Sequence, residues 1–132
     1  MLQVKFAGPA LLIISSLLVI FHILVLSGII PFDIVWAGKI KTYNDLVKLE
    51  STSLFILSLF ITLIALKIKL IHFNLHPTII KYGMWFYFTF FILNTVGNLS
   101  AKHPIEKYGF GFLTLLIALL IGFLMIGSQK KN

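Results

Sequence analysis

Cysteine is absent from the 132 residues, which removes disulfides, thiolate nucleophiles and CxxC redox chemistry together. Its absence also excludes the small four-helix oxidoreductases that pass electrons to quinones through cysteine pairs. Arginine is missing too, since all 11 basic residues are lysine. With so much Ile, Phe and Asn, this points to an AT-rich bacterial coding bias rather than to a function. Acids number only four, and charged residues of both signs make up 11%, where a soluble domain carries roughly 25%. So few polar side chains cannot cover a water-facing surface. The net charge of +7 raises a nucleic-acid reading. Lysines that flank apolar spans and meet anionic headgroups account for it better, so no nucleic-acid partner is expected.

What is present is apolar. Hydrophobic residues make up 59% and the mean hydropathy is +1.04. A spanning helix needs ~20 predominantly apolar residues to cross a ~30 Å hydrocarbon core. Residues 6–32, 82–101 and 108–129 contain no charged residue, and residues 51–66 form a shorter charge-free run followed by Lys67 and Lys69. Lysine stems can lie along apolar surface while their ammonium groups reach the interface, so that run extends to about Ile71. The expected fold is all-α, a transmembrane four-helix bundle in a single domain over residues 1–132. Its helices are predicted near 8–30, 45–71, 78–99 and 105–128.

Local signals place the breaks. Pro31 ends the first helix, His76-Pro77 separates the second from the third, and His103-Pro104 precedes the fourth. Pro104 at a first helical position with Glu106 in the first turn reads as an ordinary helix start. Thr42-Tyr43-Asn44-Asp45 resembles a capping box with Asp in place of Glu, so the second helix can begin near Tyr43. Val25-Leu26-Ser27 would suit a signal cleavage site, but the apolar run exceeds the ~7–15 residues of a signal core. It is read as retained.

Four spans put both termini and the middle loop on one side, with Lys5, Lys67, Lys69, Lys81, Lys130 and Lys131. The other side carries five lysines and all four acids, Asp33, Asp45, Glu50 and Glu106. The positive-inside rule then gives a multi-pass protein of the inner (plasma) membrane with both termini cytoplasmic.

Helices in lipid associate through small residues and interhelical hydrogen bonds. Gly111, Thr114, Ala118 and Gly122 recur at spacings of three or four and predict the seam of the fourth helix. Trp85, Phe86, Tyr87, Phe88, Phe90 and Phe91 cover every face of the third, so most of them must be lipid contact and bundle filling.

Three groups could carry function. Asn94 and Asn98, one turn apart near the end of the third span, join Asp33, Trp36, Glu50 and Glu106 in an outer carboxylate-and-amide cup. Such a cup suits a cation, an amine or a polar headgroup. Each member also has a plain structural explanation: Glu106 as a cap, Trp36 as an interfacial anchor, Asn98 as a helix end. Asn94 is the exception, because an amide buried in lipid must find partners. His22 forms the second group. Counted from the outer boundary it lies roughly 12–14 Å deep, level with Ser58, Thr89 and Thr114. It either takes one hydroxyl partner in such a layer, or relays protons or binds a ligand. The third group is His72-x-x-x-His76, whose two nitrogens alone make a poor metal site. No metal and no cofactor is expected. Asn98-Leu99-Ser100 matches a glycosylation sequon by chance.

Small multidrug exporters carry a membrane-embedded Glu in their first helix, and dual-topology fluoride channels a Gly-rich Arg motif; this chain has neither. Pro31-Phe32-Asp33-Ile34-Val35-Trp36, Glu50, Asn94-Thr95-Val96-Gly97-Asn98 and Glu106 together resemble small uncharacterised four-helix membrane proteins of bacteria. The resemblance implies a fold and a polar cluster, not an activity. The leading expectation is a non-enzymatic protein that binds or transports a small molecule or ion at the outer cup, with lipid around it and a homo-oligomer as its assembly. An accessory subunit packed on a larger membrane partner is the alternative. A lipid- or isoprenoid-modifying enzyme using His22, Glu50 and Glu106 comes third.

Overall fold

A computed structural model describes the backbone of residues 2–129 and the side chains of residues 5–127. Lys130 and Lys131, which count toward the basic side of the sequence, lie outside the described residues. Four helices run antiparallel in sequence order: α1 (Leu2–Leu26), α2 (Tyr43–Lys67), α3 (Pro77–Leu99) and α4 (Gly111–Gln129). No strand occurs among the described residues. All four are long and apolar enough to cross a membrane, with candidate spans of 22, 25, 23 and 23 residues. Large apolar side chains such as Phe6, Phe55, Phe86 and Phe112 point outward, which suits hydrocarbon and not water. The chain is a four-helix bundle with the architecture of a multi-pass membrane protein.

The ends of the helices correct the sequence in places. α1 starts at Leu2 rather than near residue 8 and runs through Pro9. It stops at Leu26, four residues short of the expected end. Gly28, in left-handed backbone at φ 77°, turns the chain, and the Gly28 and Ile29 amides close onto the carbonyls of Val25 and Leu24, both at 3.0 Å. A left-handed glycine satisfying the last carbonyls is a common helix terminus, and it acts before Pro31 can. α2 begins at Tyr43 with the full capping box: the Asp45 amide donates to Thr42 Oγ1, and the Thr42 amide to Asp45 Oδ2. It ends at Lys67 instead of near residue 71, because Lys69 turns left-handed at φ 61°. His76 caps α3, its Nδ1 accepting from the Thr78 amide. The segment holding His72 and His76 is irregular, so the two do not share a helical turn.

Packing follows the predicted seam. Thr114, Ala118 and Gly122 are buried on α4, and a Cβ on Gly111 would meet Leu99 Cδ2 at 2.7 Å. At Gly111, α4 therefore lies directly against the Leu99 side chain of α3. The core of the bundle includes Phe60, whose ring lies tilted at 4.6 Å from Tyr87 and 5.1 Å from Phe91. Of the aromatic run on α3, Tyr87 and Phe91 fill the bundle while Phe86 faces outward. The Tyr87 hydroxyl donates to the Ile56 carbonyl at 2.8 Å and pins α3 to α2 at this level.

Between α1 and α2 the chain folds over the end of the bundle. Val35 and Ile40 bury themselves against Val25 and Leu46, giving this connection a small core of its own. It carries the candidate residues Asp33 and Trp36.

Candidate functional site

Two glutamates are the most deeply buried charged side chains of the described chain, Glu50 at 0% and Glu106 at 5% exposure. Carboxylates taken out of water need donors, since an unpaired one costs several kcal/mol. Glu50 has two: His22 Nδ1 donates to Oε2 at 2.6 Å and Trp36 Nε1 donates to Oε1 at 2.8 Å. Glu106 has one, the backbone amide of Ala37, which donates to both of its oxygens at 2.9 and 3.0 Å. The contact of His22 with Glu50 is the only one within 4 Å between a basic and an acidic side chain among the described residues.

These bonds hold an unusual turn. Trp36, Ala37 and Gly38 are all left-handed, at φ 60°, 50° and 72°. For a residue with a Cβ that conformation costs roughly 1–2 kcal/mol, and two successive residues bear it here. The turn persists because the buried carboxylates grip it from α2 and from the start of α4. Strain retained in this way commonly marks a functional position.

Glu106 reaches the turn through a further irregularity. Ile105–Phe110 forms a wide π-type turn before α4. Five residues of regular α-helix rotate by about 500°, which would leave Gly111 about 140° from Glu106. A wider turn brings both onto the bundle side, a recurrent use of such insertions at functional sites. Glu106 is therefore not a helix cap. His103 Nδ1 takes that part, accepting from the Ile105 amide at 3.3 Å.

Beneath the turn lies a cavity of about 260 Å³ walled by all four helices. Its polar lining is His22, Trp36, Ser53, Asn94, Asn98, Glu106 and Thr114, and its apolar lining includes Leu18, Phe21, Leu57, Phe91 and Phe110. A second, more open cleft, lined by Ala37, Lys39 and Gly97, shares Trp36, Asn94, Asn98 and Glu106 with it. The volume exceeds the ~150 Å³ hole that accepts benzene and approaches the ~300 Å³ at which ligand pockets begin.

The predicted cup therefore forms in part. Trp36, Asn94, Asn98, Glu106 and His22 line one cavity. Glu50 does not line it; it stands behind His22 and Trp36 and orients both. Nor does it open α2 at a rim, since it lies seven residues, about 10 Å, inside the helix. Asp33 is exposed and lines neither space, because the early end of α1 sends it outward. Asn94 satisfies its amide on its own helix, donating to the Phe90 carbonyl at 2.8 Å. Asn98 makes only a 3.5 Å contact with Thr114 Oγ1.

The polar layer predicted around His22 does not form. With α1 ending at Leu26, His22 is one turn, about 6 Å, from the helix end, not 12–14 Å down. Ser58 and Thr89 are exposed and donate to carbonyls of their own helices, Leu54 and Trp85. Thr114 bonds to Thr95 across α3 and α4, at 3.0 Å. His22 finds a carboxylate instead of a hydroxyl. Sequence reasoning missed Ala37 and Ser53 as well as the apolar wall; the Ala37-Gly38 dipeptide was the one local hint of a turn. No protein-family model, no curated protein and no solved structure matches this chain.

Proposed function

We propose that the protein binds, and through binding handles or transports, a small molecule or ion in the cavity beneath the Trp36–Gly38 turn. The observation that best supports this is Glu106: a carboxylate at 5% exposure, facing a cavity, with one amide donor for two oxygens. A group held only to shape the fold would be better satisfied. The proposed setting is the inner membrane of a bacterium with both termini cytoplasmic. Its support is the lysine count and the gathering of all four acids at the cavity end of the bundle.

An accessory subunit would be expected to turn small residues outward toward a partner helix, whereas the Gly111–Gly122 stripe is spent inside this bundle. An enzyme has one observation in its favour, since His22, oriented by Glu50, and Glu106 line the same cavity. The Ser53 hydroxyl in that wall makes no hydrogen bond to His22, so no activated nucleophile is assembled. Binding is the better reading.

Ser53→Phe fills the cavity without removing a hydrogen bond and supplies the test. Solvent extracts of the purified full chain, analysed by mass spectrometry, are expected to contain a small molecule that the filled variant lacks. Identical extracts, together with unchanged thermal response of both proteins to added small molecules, would remove the cavity from consideration.

A further inference from the structure

Resting on that reading of the cavity, we infer that its ligand is an amphipathic amine: one protonated nitrogen held by Glu106, with a hydrocarbon or aromatic body lying among the rings below.

The sign of the charge comes first. One carboxylate, Glu106, lines the polar end of the cavity, and Glu50 stands behind that lining, bonded to His22 and Trp36. No lysine lines this space; Lys39 reaches only the outer cleft. An anion placed beside Glu106 would meet a like charge at low dielectric, where the repulsion is least screened. A cation meets the reverse.

The kind of cation follows from the donors. A bare metal ion wants several oxygen or nitrogen ligands converging at short range, and no cluster of three or more suitable side chains occurs among the described residues. A protonated amine asks for less. Its N–H groups need two or three acceptors, and Glu106 has lone pairs to spare after the single Ala37 amide. Asn94 Oδ1, whose amide partner Nδ2 is already committed to Phe90, supplies a further acceptor. The aromatic residues Trp36, Phe21 and Phe110 line the same space, and aromatic rings attract cations.

The remainder of the cavity fixes the body of the ligand. Below the polar end its walls are Leu18, Leu57 and Phe91, and Phe60 with Tyr87 closes the bundle beneath. By proportion to the ~150 Å³ hole that takes benzene, the volume holds about ten non-hydrogen atoms. A small inorganic cation would leave this apolar part empty, and a sugar or amino acid would leave polar groups unpaired within it.

Three molecules of one shape separate the possibilities: 4-phenylbutylamine, its neutral counterpart 4-phenylbutan-1-ol, and the anion 4-phenylbutyrate. Each is titrated against the purified full chain in lipid nanodiscs, with tryptophan fluorescence and thermal unfolding as readouts. Ser53→Phe provides the baseline for partition into lipid. The amine is expected to bind at least about tenfold more tightly than the alcohol, the difference made by one charge-assisted hydrogen bond, and the anion not above baseline. Glu106→Gln, which keeps an acceptor for the Ala37 amide, is expected to bring amine and alcohol to equal affinity. Should the alcohol or the anion match the amine in the wild type, or should Glu106→Gln preserve the amine's advantage, the ligand class is wrong while the cavity remains a binding site. Should all three behave alike in wild type and Ser53→Phe, the cavity itself is not a site for molecules of this shape, and the inference falls with the reading beneath it.

Discussion

Glu106 holds the backbone amide of Ala37, 69 residues earlier in the chain, with both oxygens of its carboxylate. That contact ties the entrance of α4 to the α1–α2 connection and fixes the left-handed turn above the cavity. Removing the carboxylate leaves a strained turn without its anchor and an amide without an acceptor, at a cost of roughly 1–3 kcal/mol. Glu106→Ala should therefore unfold more readily in detergent than Glu106→Gln. Amide exchange at residues 36–39 should speed up in the alanine variant alone. Equal exchange in the two would mean that the contact does not hold the turn.

His22 and Trp36 depend on one carboxylate. Losing one member of a buried pair costs about 3–5 kcal/mol, so Glu50→Ala should be the most damaging single change at this end of the bundle. A double-mutant cycle between His22→Ala and Glu50→Gln should give a coupling of about 1–3 kcal/mol, measured by reversible unfolding in mixed detergent. Additive effects would deny the pairing.

The turn makes two glycine substitutions act in opposite directions. Ala37→Gly relieves a Cβ in left-handed backbone and should stabilise by up to about 1 kcal/mol, while Gly38→Ala should destabilise by a similar amount. Thermal unfolding of both variants under one condition reads the signs. Two changes of the same sign would not fit this backbone.

Close approach at Gly111 gives a test of packing. The obstructing atoms belong to the end of the Leu99 side chain, which is 38% exposed and free to swing. Gly111→Ala should cost under about 1 kcal/mol, and Gly111→Val about 1–3 kcal/mol, as overpacked cores do. Adding Leu99→Ala to Gly111→Val should restore most of the loss. A double variant no better than the single one would place the clash elsewhere.

Asn94 and Asn98 should differ in binding more than in stability. Asn94 donates to its own helix and Asn98 makes a weak contact, so either alanine variant should stay within about 1 kcal/mol of the parent. Only Asn94→Ala should weaken binding of 4-phenylbutylamine. Equal binding by both variants would leave Asn94 a bystander.

Much of this molecule is local, and local features are readable from a sequence. Charge-free stretches of spanning length, the Thr42–Asp45 capping box, the prolines that open α3 and precede α4, and the small residues of α4 each depend on neighbours within a few positions. They are set by hydrocarbon thickness, backbone hydrogen bonding and side-chain size. The amino-acid sequence by itself thus determined four spans, the seam of α4, and the gathering of polar residues at one end of the bundle. The site depends on the turn at Gly28, the left-handed turn at Trp36–Gly38 and the π-type turn before α4, and these decide which way each side chain faces. They sent Asp33 outward, brought Glu106 in and put Glu50 behind the cavity rather than on its wall. Only the tertiary structure could decide those placements. A buried carboxylate takes whichever donors the assembled fold presents, and here the donors of Glu50 and Glu106 lie between 14 and 69 residues away along the chain.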